Sequence, residues 1–291
     1  MRTQIPRIVY INGQYVPEGE ARVSIFDRGF LMADGVYELT SVLEGRILDF
    51  EGHATRLKRS LDAMDMKMPM SKETLLEVHR ELIQRNKIDE GTIYLQITRG
   101  SDVDRDFVFP DPETIPPTVV MFHKYMPHLR NNPTAKTGLK IISIDDLRWG
   151  RRDIKTIQLL YASMGKTMAK RAGADDAWMV QEGFVTEGTR SNVYIVKDGK
   201  IITRALSYDI LHGITRAAVL QFAREAQMEV VERSFTIAEA QNADEAFVTS
   251  ASTFVLPVVD IDGHAVGTGT PGPIVARLRE LYIEESMKQA I

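Results

Sequence analysis

Four short stretches carry side chains whose chemistry and spacing stand out. In Asp153-Ile154-Lys155-Thr156, a lysine stands at the mouth of an apolar run, Ile157 to Met164. Such a lysine can snorkel from a helix's first turn into water, or its amine can be wanted where it is. In Thr186-Glu187-Gly188-Thr189-Arg190-Ser191-Asn192, polar residues interrupt two strand-like runs. Glu187 and Arg190 at a strand edge can form a surface ion pair worth under about 1 kcal/mol. In Leu211-His212-Gly213-Ile214-Thr215, the glycine permits a close turn and the next two residues open an amphipathic helix. Free N–H groups, a hydroxyl and the positive end of the helix dipole suit a phosphate, although an ordinary capped helix uses the same residues. In Phe247 to Ser252, small polar residues end an apolar strand, either as a plain loop or as another anion cradle around Ser250 and Ala251.

Other chemistries find no support. There is no GxGxxG, GxxxxGK[ST], GxSxG or HExxH, and the six histidines lack the spacing of metal ligands. With no cysteine, thiol nucleophiles, cysteine–zinc sites and disulfides are excluded. A net charge of −4 offers no basic excess for nucleic acid. No apolar h-region opens the chain and no run approaches the length of a membrane span, so a soluble, cytoplasmic protein is expected.

The elements that must position these residues can be read from periodicity. IVYINGQYV predicts two strands around Asn12-Gly13, and GVYELTSVLEGRILDF two more around Glu44-Gly45. Leu57, Leu61 and Met64 recur at helical spacing, as do Leu75, Val78 and Leu82 behind a capping Ser71. GTIYLQITRG and TVVMFHKY read as strands. The segment PDPETIPPT then carries four of the twelve prolines, which marks connections rather than elements. Beyond it come a strand at LKIISI, a helix from about Thr156 to Ala172, a strand at DAWMV and a hairpin on Asp198-Gly199. A helix from about Thr215 to Gln227, strands at EAFVTSAS and FVLPVVDIDG, and a helix opened by Pro273 complete the pattern. The expected class is α/β (α+β), in two α/β domains over 1–124 and 136–291 with an interdomain loop at 125–135. Neither half shows the regular alternation of a doubly wound sheet.

Taken in order, DIKT, TEGTRSNV, LHGITR and FVTSAS, with DRGFLMADGVYE at 27–38 and FEGHATRL at 50–57, resemble the pyridoxal-phosphate enzymes of fold type IV. That family includes D-amino-acid, branched-chain and (R)-amine aminotransferases and aminodeoxychorismate lyases. The resemblance runs nearly end to end. It implies pyridoxal 5'-phosphate as cofactor, with Lys155 as the Schiff-base lysine and Glu187 as the acid partner of the pyridine nitrogen. A lysine in that role needs apolar surroundings, which Ile154 and the following Ile-Gln-Leu-Leu are expected to supply. Arg56 matches the family's phosphate arginine, Gly213, Ile214 and Thr215 its helix-start phosphate site, Ser250 and Ala251 its last phosphate contacts, and Leu211 the residue packed on the ring.

The resemblance is closest to the D-amino-acid aminotransferases. Tyr37 matches a tyrosine that lines their substrate pocket, whereas branched-chain enzymes carry an arginine near the positions of Leu39 and Ser41. The D-amino-acid enzymes hold the substrate carboxylate with an Arg-x-His pair delivered from a partner subunit. Here Arg105 is retained and Phe107 stands in place of the histidine. Arg190 and Arg28 are the other candidates for that carboxylate, because a planar guanidinium can grip it through two hydrogen bonds. The expected activity moves an amino group from a D-amino acid such as D-alanine to a 2-oxo acid such as 2-oxoglutarate or pyruvate, in a homodimer. The alternatives are branched-chain or (R)-amine specificity, or aminodeoxychorismate lyase chemistry.

Overall fold

The computed structural model describes residues 6–101 and 104–291. The chain divides into two compact units. The first runs to Pro127 and adds Ile154–Gln158 and Ala290–Ile291; the second comprises His128–Asp153 and Leu159–Gln289.

In the first unit, Asn12 and Gly13 take φ of 47° and 90° and turn β1 (Ile8–Ile11) into β2 (Gln14–Pro17), as the Asn-Gly pair predicts. A short helix α1 (Arg28–Met32) is capped by Asp27, whose carboxylate accepts from the Gly29 N–H. The strands β3 (Gly35–Leu43) and β4 (Arg46–Ile47) meet at left-handed Glu44 and Gly45. Two helices follow, α2 (Phe50–Asp62) and α3 (Lys72–Asn86), the second capped by Ser71 on the Thr74 N–H at 3.1 Å. The strands β5 (Glu90–Thr98) and β6 (Thr118–Tyr125) complete an antiparallel sheet in the order β2-β1-β6-β5-β3-β4. Ile93, Leu95 and Ile97 alternate along β5 and pack into one core with Leu57 and Leu61 of α2 and Leu75, Val78 and Leu82 of α3.

The second unit is built on a nine-stranded sheet. It opens with α4 (Thr134–Thr137), β7 (Leu139–Asp145), α5 (Leu160–Arg171), β8 (Asp176–Gln181) and β9 (Phe184–Gly188). It continues through β10 (Asn192–Lys197), β11 (Lys200–Thr203), α6 (Ile214–Glu225), β12 (Val230–Glu232) and α7 (Ile237–Gln241). The last elements are β13 (Glu245–Ser250), β14 (Phe254–Ile261), β15 (His264–Ala265) and α8 (Pro273–Gln289). The order is β12-β11-β10-β13-β14-β7-β8-β9, with β15 beside β14. Parallel pairs at β11/β12, β14/β7 and β7/β8 mix with antiparallel ones. Among the described residues no helix is long and apolar enough to cross a membrane.

Two expectations are corrected. The helix read from about Thr156 starts at Leu160, because Thr156 is taken up by a bridge to Val36 of β3 and the helix is entered only at its N-cap, Leu159. That pairing also takes Ile154–Gln158, and with it Lys155, out of the expected 136–291 domain and into the first unit, where Ile154 is buried in the core.

Candidate active site

Each unit carries its own set of the candidate residues. In the first, Lys155 lies in the segment pinned to β3 by the bridge of Thr156 to Val36. Its carbonyl accepts from the Tyr37 N–H at 3.0 Å, its N–H donates to Ser60 Oγ at 3.3 Å, and the Ile157 N–H donates to Gly35 O at 3.1 Å. The backbone is therefore fixed on both sides of the amine. Lys155 Nζ stands 4.1 Å from the centre of the Tyr37 ring, and no carboxylate pairs with it among the described residues. Tyr37 stacks on Tyr94 at 5.6 Å, and the Phe122 ring lies tilted against Tyr94 at 4.8 Å. Of the apolar residues expected around the amine, Ile154 is buried in the core, whereas Leu159 and Leu160 are 38% and 77% exposed; the amine faces the Tyr37 ring.

Arg56, on α2, is 6% exposed and is gripped by Glu38 of β3 through Nε to Oε1 at 2.8 Å and Nη2 to Oε2 at 2.7 Å. His53 Nδ1 lies 2.7 Å from the same Oε2. Burial pushes the Glu38 carboxyl up, but the charge and hydrogen bonds of Arg56 and His53 outweigh it and hold the group well below the usual carboxylate range. The acid thus fixes the direction of the guanidinium expected to meet a phosphate. Glu38 and His53 escaped the sequence reading, although His53 sits one turn before Arg56, on the same helix face. Glu38→Gln is expected to destabilise the first unit by about 3 kcal/mol, because a buried guanidinium loses its counter-charge. Denaturant titration checks this. The folded-state carboxyl lies below its ordinary value of 4.5, so the stabilisation is present above that pH and fades as pH falls further. The gap between wild type and variant should narrow in acid.

In the second unit, Glu187 near the end of β9 is 5% exposed and both its oxygens are engaged. Arg148 pairs with Oε1, while Oε2 accepts from the Leu211 N–H at 3.1 Å and from Asn192 Nδ2 at 3.4 Å. Arg148 is in turn held by Asp146 at 2.9 and 2.7 Å, and Asp146 also accepts from Thr186 Oγ1 at 2.6 Å. Burial pulls the proton affinity of Arg148 down, but Glu187 and Asp146 reverse that and raise it above the usual arginine value. Glu187 is therefore an oriented carboxylate backed by a permanent cation. Asn192 Nδ2 also donates to Leu211 O at 2.9 Å, tying the loop before α6 to the acid. Asn192 lies in the polar stretch 186–192, whereas Arg148 and Asp146 carry no local signal, because Glu187 and Thr186 meet them from β9.

The phosphate candidates follow that loop. A Cβ on Gly213 would come within 2.0 Å of Asn192 Oδ1, so only glycine lets the backbone approach this closely. Gly213 caps α6 with extended backbone and no side chain fills the helix start, which leaves the N–H groups of Ile214 and buried Thr215 for an anion. Ser250 Oγ lies 2.7 Å from Thr253 Oγ1 in the turn between β13 and β14. Arg279 of α8 holds that turn by donating to Thr253 O and Val255 O at 2.8 and 2.7 Å, with its guanidinium pushed down to about 10 by burial. A group that combines a phosphate with a basic ring nitrogen fits what these residues offer.

The three arginines named for a carboxylate differ sharply. Arg190 is exposed and has no ion pair among the described residues, so the surface pair with Glu187 does not form. Arg105 is exposed and stacks over Phe107, 4.7 Å from its ring centre. Arg28 is 5% exposed and spent on Asp34 at 2.7 Å and on the carbonyls of Asp106 and Val108.

A lysine, an acid and a phosphate cradle in this chain order define a family. The chain belongs to the class IV aminotransferases, whose family model matches residues 35–261. It is 37% identical over 279 residues to the D-alanine aminotransferase of Staphylococcus haemolyticus, covering 95% of this chain and 98% of that one. The D-alanine aminotransferase of Listeria monocytogenes is 36% identical over 277 residues, with 95% of each chain covered. A branched-chain amino acid aminotransferase of T.th., complexed with N-(5'-phosphopyridoxyl)-L-glutamate, aligns with a TM-score of 0.88 at 28% identity, over 98% of this chain and 95% of that one.

Proposed function

We infer that the protein is a transaminase that moves an amino group from a D-amino acid, such as D-alanine, to a 2-oxo acid such as 2-oxoglutarate or pyruvate. Its cofactor is pyridoxal 5'-phosphate. The observation that carries this reading is the amine of Lys155, fixed by its backbone, facing an aromatic ring and free of any carboxylate partner among the described residues. When bound, the cofactor supplies an electron sink for charge developing at the substrate Cα. Lys155 holds the cofactor and then moves the Cα proton. Glu187 would face the ring nitrogen and keep a proton there. Arg56, the start of α6 and the Ser250–Ala251 turn would take the phosphate. Tyr37 walls the substrate side. The working form is a homodimer in the cytoplasm, with the Arg105 loop reaching the site of the second copy. The uncovered Phe107 and Val108, 75% and 74% exposed, support that reading.

Borohydride treatment followed by peptide mass mapping is expected to place a phosphopyridoxyl label on Lys155. A label on Lys166 or Lys170 instead would remove the assignment. Single-turnover spectra with D-alanine, L-leucine and (R)-1-phenylethylamine then name the amino donor. D-alanine should convert the bound cofactor to its amine form fastest, and faster conversion by either other donor would select another specificity of the same machinery.

Arg190 is assigned the substrate carboxylate, a task it shares with the incoming Arg105, because it is an unpaired guanidinium three residues from Glu187. Arg190→Ala is expected to lower kcat/KM for D-amino acids about 30-fold, equal to roughly 2 kcal/mol of transition-state binding. The loss should be much smaller for (R)-1-phenylethylamine, which has no carboxylate. Equal losses for both donors would mean that Arg190 acts on the fold.

A further inference from the structure

The buried cluster around Asp34 has no part in holding the cofactor, yet it grips the loop that carries Arg105. Asp34 is 5% exposed, and its Oδ2 accepts from two guanidinium groups at once, Arg28 Nε at 2.7 Å and Arg99 Nε at 2.8 Å. Its Oδ1 is buried with no hydrogen-bond partner. Both arginines are themselves buried, at 5% and 6% exposure. Arg99 is immobilised further by Met64 O at 2.7 Å and Asp65 O at 3.2 Å, just past the end of α2. Arg28 is fixed through α1, where a Cβ on Gly29 would come within 2.2 Å of Thr98 Cγ2 and where Asp27 ties to Thr98 Oγ1 at 2.8 Å.

The remaining donors and faces of this cluster point at one stretch of chain. Arg28 Nη1 donates to the carbonyls of Asp106 and Val108. The Phe109 ring lies 3.7 Å from Arg99 Cζ and 5.6 Å from Arg28 Cζ. Two cations share one carboxylate, and an aromatic face with two carbonyls absorbs the surplus positive charge. The grip falls on the backbone at 106 and 108 and on the ring at 109, while the side chains of Arg105 and Phe107 stay exposed and stacked on each other.

We propose that Arg28, Arg99 and Phe109 are positioning residues for the loop 104–110, and that they set donor specificity by fixing where Arg105 is presented. This rests on the reading above in which Arg105 reaches the substrate carboxylate. Arg28 then acts on the substrate through the loop and does not touch it. The register of the loop is held by groups that never meet the donor, so loosening them should weaken recognition without slowing proton transfer.

The test uses the holoenzyme. Phe109→Leu keeps apolar volume at a half-exposed position, where the fold tolerates the change, but removes the aromatic face under the arginines. It is expected to raise KM for D-alanine about 10-fold with kcat within about twofold, to leave the KM of (R)-1-phenylethylamine unchanged, and to leave the pyridoxal phosphate dissociation constant unchanged. Phe109→Tyr should restore the wild-type KM. In an Arg105→Ala background, Phe109→Leu should cost nothing further, because the two act along one path. A wild-type KM for Phe109→Leu, equal losses for both donors, or full additivity with Arg105→Ala would each overturn the proposal. If the wild-type enzyme uses D-alanine and Arg105→Ala has no effect, the proposal falls while the transaminase reading stands.

Discussion

Lys155→Ala is expected to fold, to bind pyridoxal phosphate without a borohydride-stable link, and to transaminate about 10⁴-fold or more slowly than wild type. The fold survives because Lys155 is held through its backbone. The hydrogen bonds from Tyr37 and to Ser60, and the bridge of Thr156 to Val36, do not involve the side chain. What is lost is the amine over the Tyr37 ring. General acid–base work by one positioned side chain contributes about 10²–10⁴-fold, and losing the covalent anchor adds to that. A simple amine such as methylamine, supplied at high concentration, should restore part of the rate, since it can carry the proton that Lys155 carried. An unchanged turnover in Lys155→Ala, or a Tm lowered so far that the variant is unfolded, would contradict this account. The first would move the chemistry to another lysine, and the second would make Lys155 a structural residue.

Glu187→Gln is expected to lower kcat by about 10²–10³-fold while the affinity for pyridoxal phosphate changes little. The amide keeps the shape of the carboxylate and can still accept from the Leu211 N–H and from Asn192. It cannot supply the negative charge that keeps a proton on the ring nitrogen. Removing one preorganised electrostatic group of this kind typically costs that much. The residues proposed for the phosphate, at the start of α6 and in the Ser250 turn, are untouched, so binding should hold. The fold should hold too, because Arg148 keeps its two-point pairing with Asp146. Wild-type turnover in Glu187→Gln would exclude the role. A collapse of cofactor affinity with kcat preserved would show that Glu187 binds rather than activates.

Much of the local structure was legible because its causes are local. Asn12-Gly13 and Asp198-Gly199 demand left-handed turns, and strands flank both. Leu75, Val78 and Leu82 share a helix face behind Ser71 and bury that face. The α6 helix, read from about Thr215, begins one residue earlier behind an uncapped Gly213. The motif order led to the family, which the matching model over residues 35–261 establishes. What escaped depends on partners distant in the chain. Nothing near Lys155 announces that Thr156 will bridge Val36 and keep the residues up to Leu159 out of the helix. Arg148 looks like a surface residue until the end of β7 and β9 bring Asp146, Thr186 and Glu187 together. Arg28 stands in a motif that invites a substrate role, but its side chain is spent on Asp34 and on the carbonyls near Phe107. Short elements such as α4 and β12 are too brief for periodicity to show.

The discontinuous makeup of the first unit bears on how the chain matures as it is made. The unit cannot close when Pro127 has been synthesised, because Ile154–Gln158 has yet to appear and Ala290–Ile291 follow only after the whole second unit. Ile291 and Ile47 exchange backbone hydrogen bonds of 2.8 and 3.1 Å beside β4, at one edge of the sheet. At the usual pace of translation Ile154–Gln158 trails Pro127 by about a few seconds and Ala290–Ile291 by on the order of ten seconds. For the shorter of these intervals the Val36 side of β3 lacks its Thr156 partner, and an open strand edge is a place where nascent chains stick to one another. The peptide that bears Lys155 therefore also covers this edge, well before Ala290–Ile291 complete the unit.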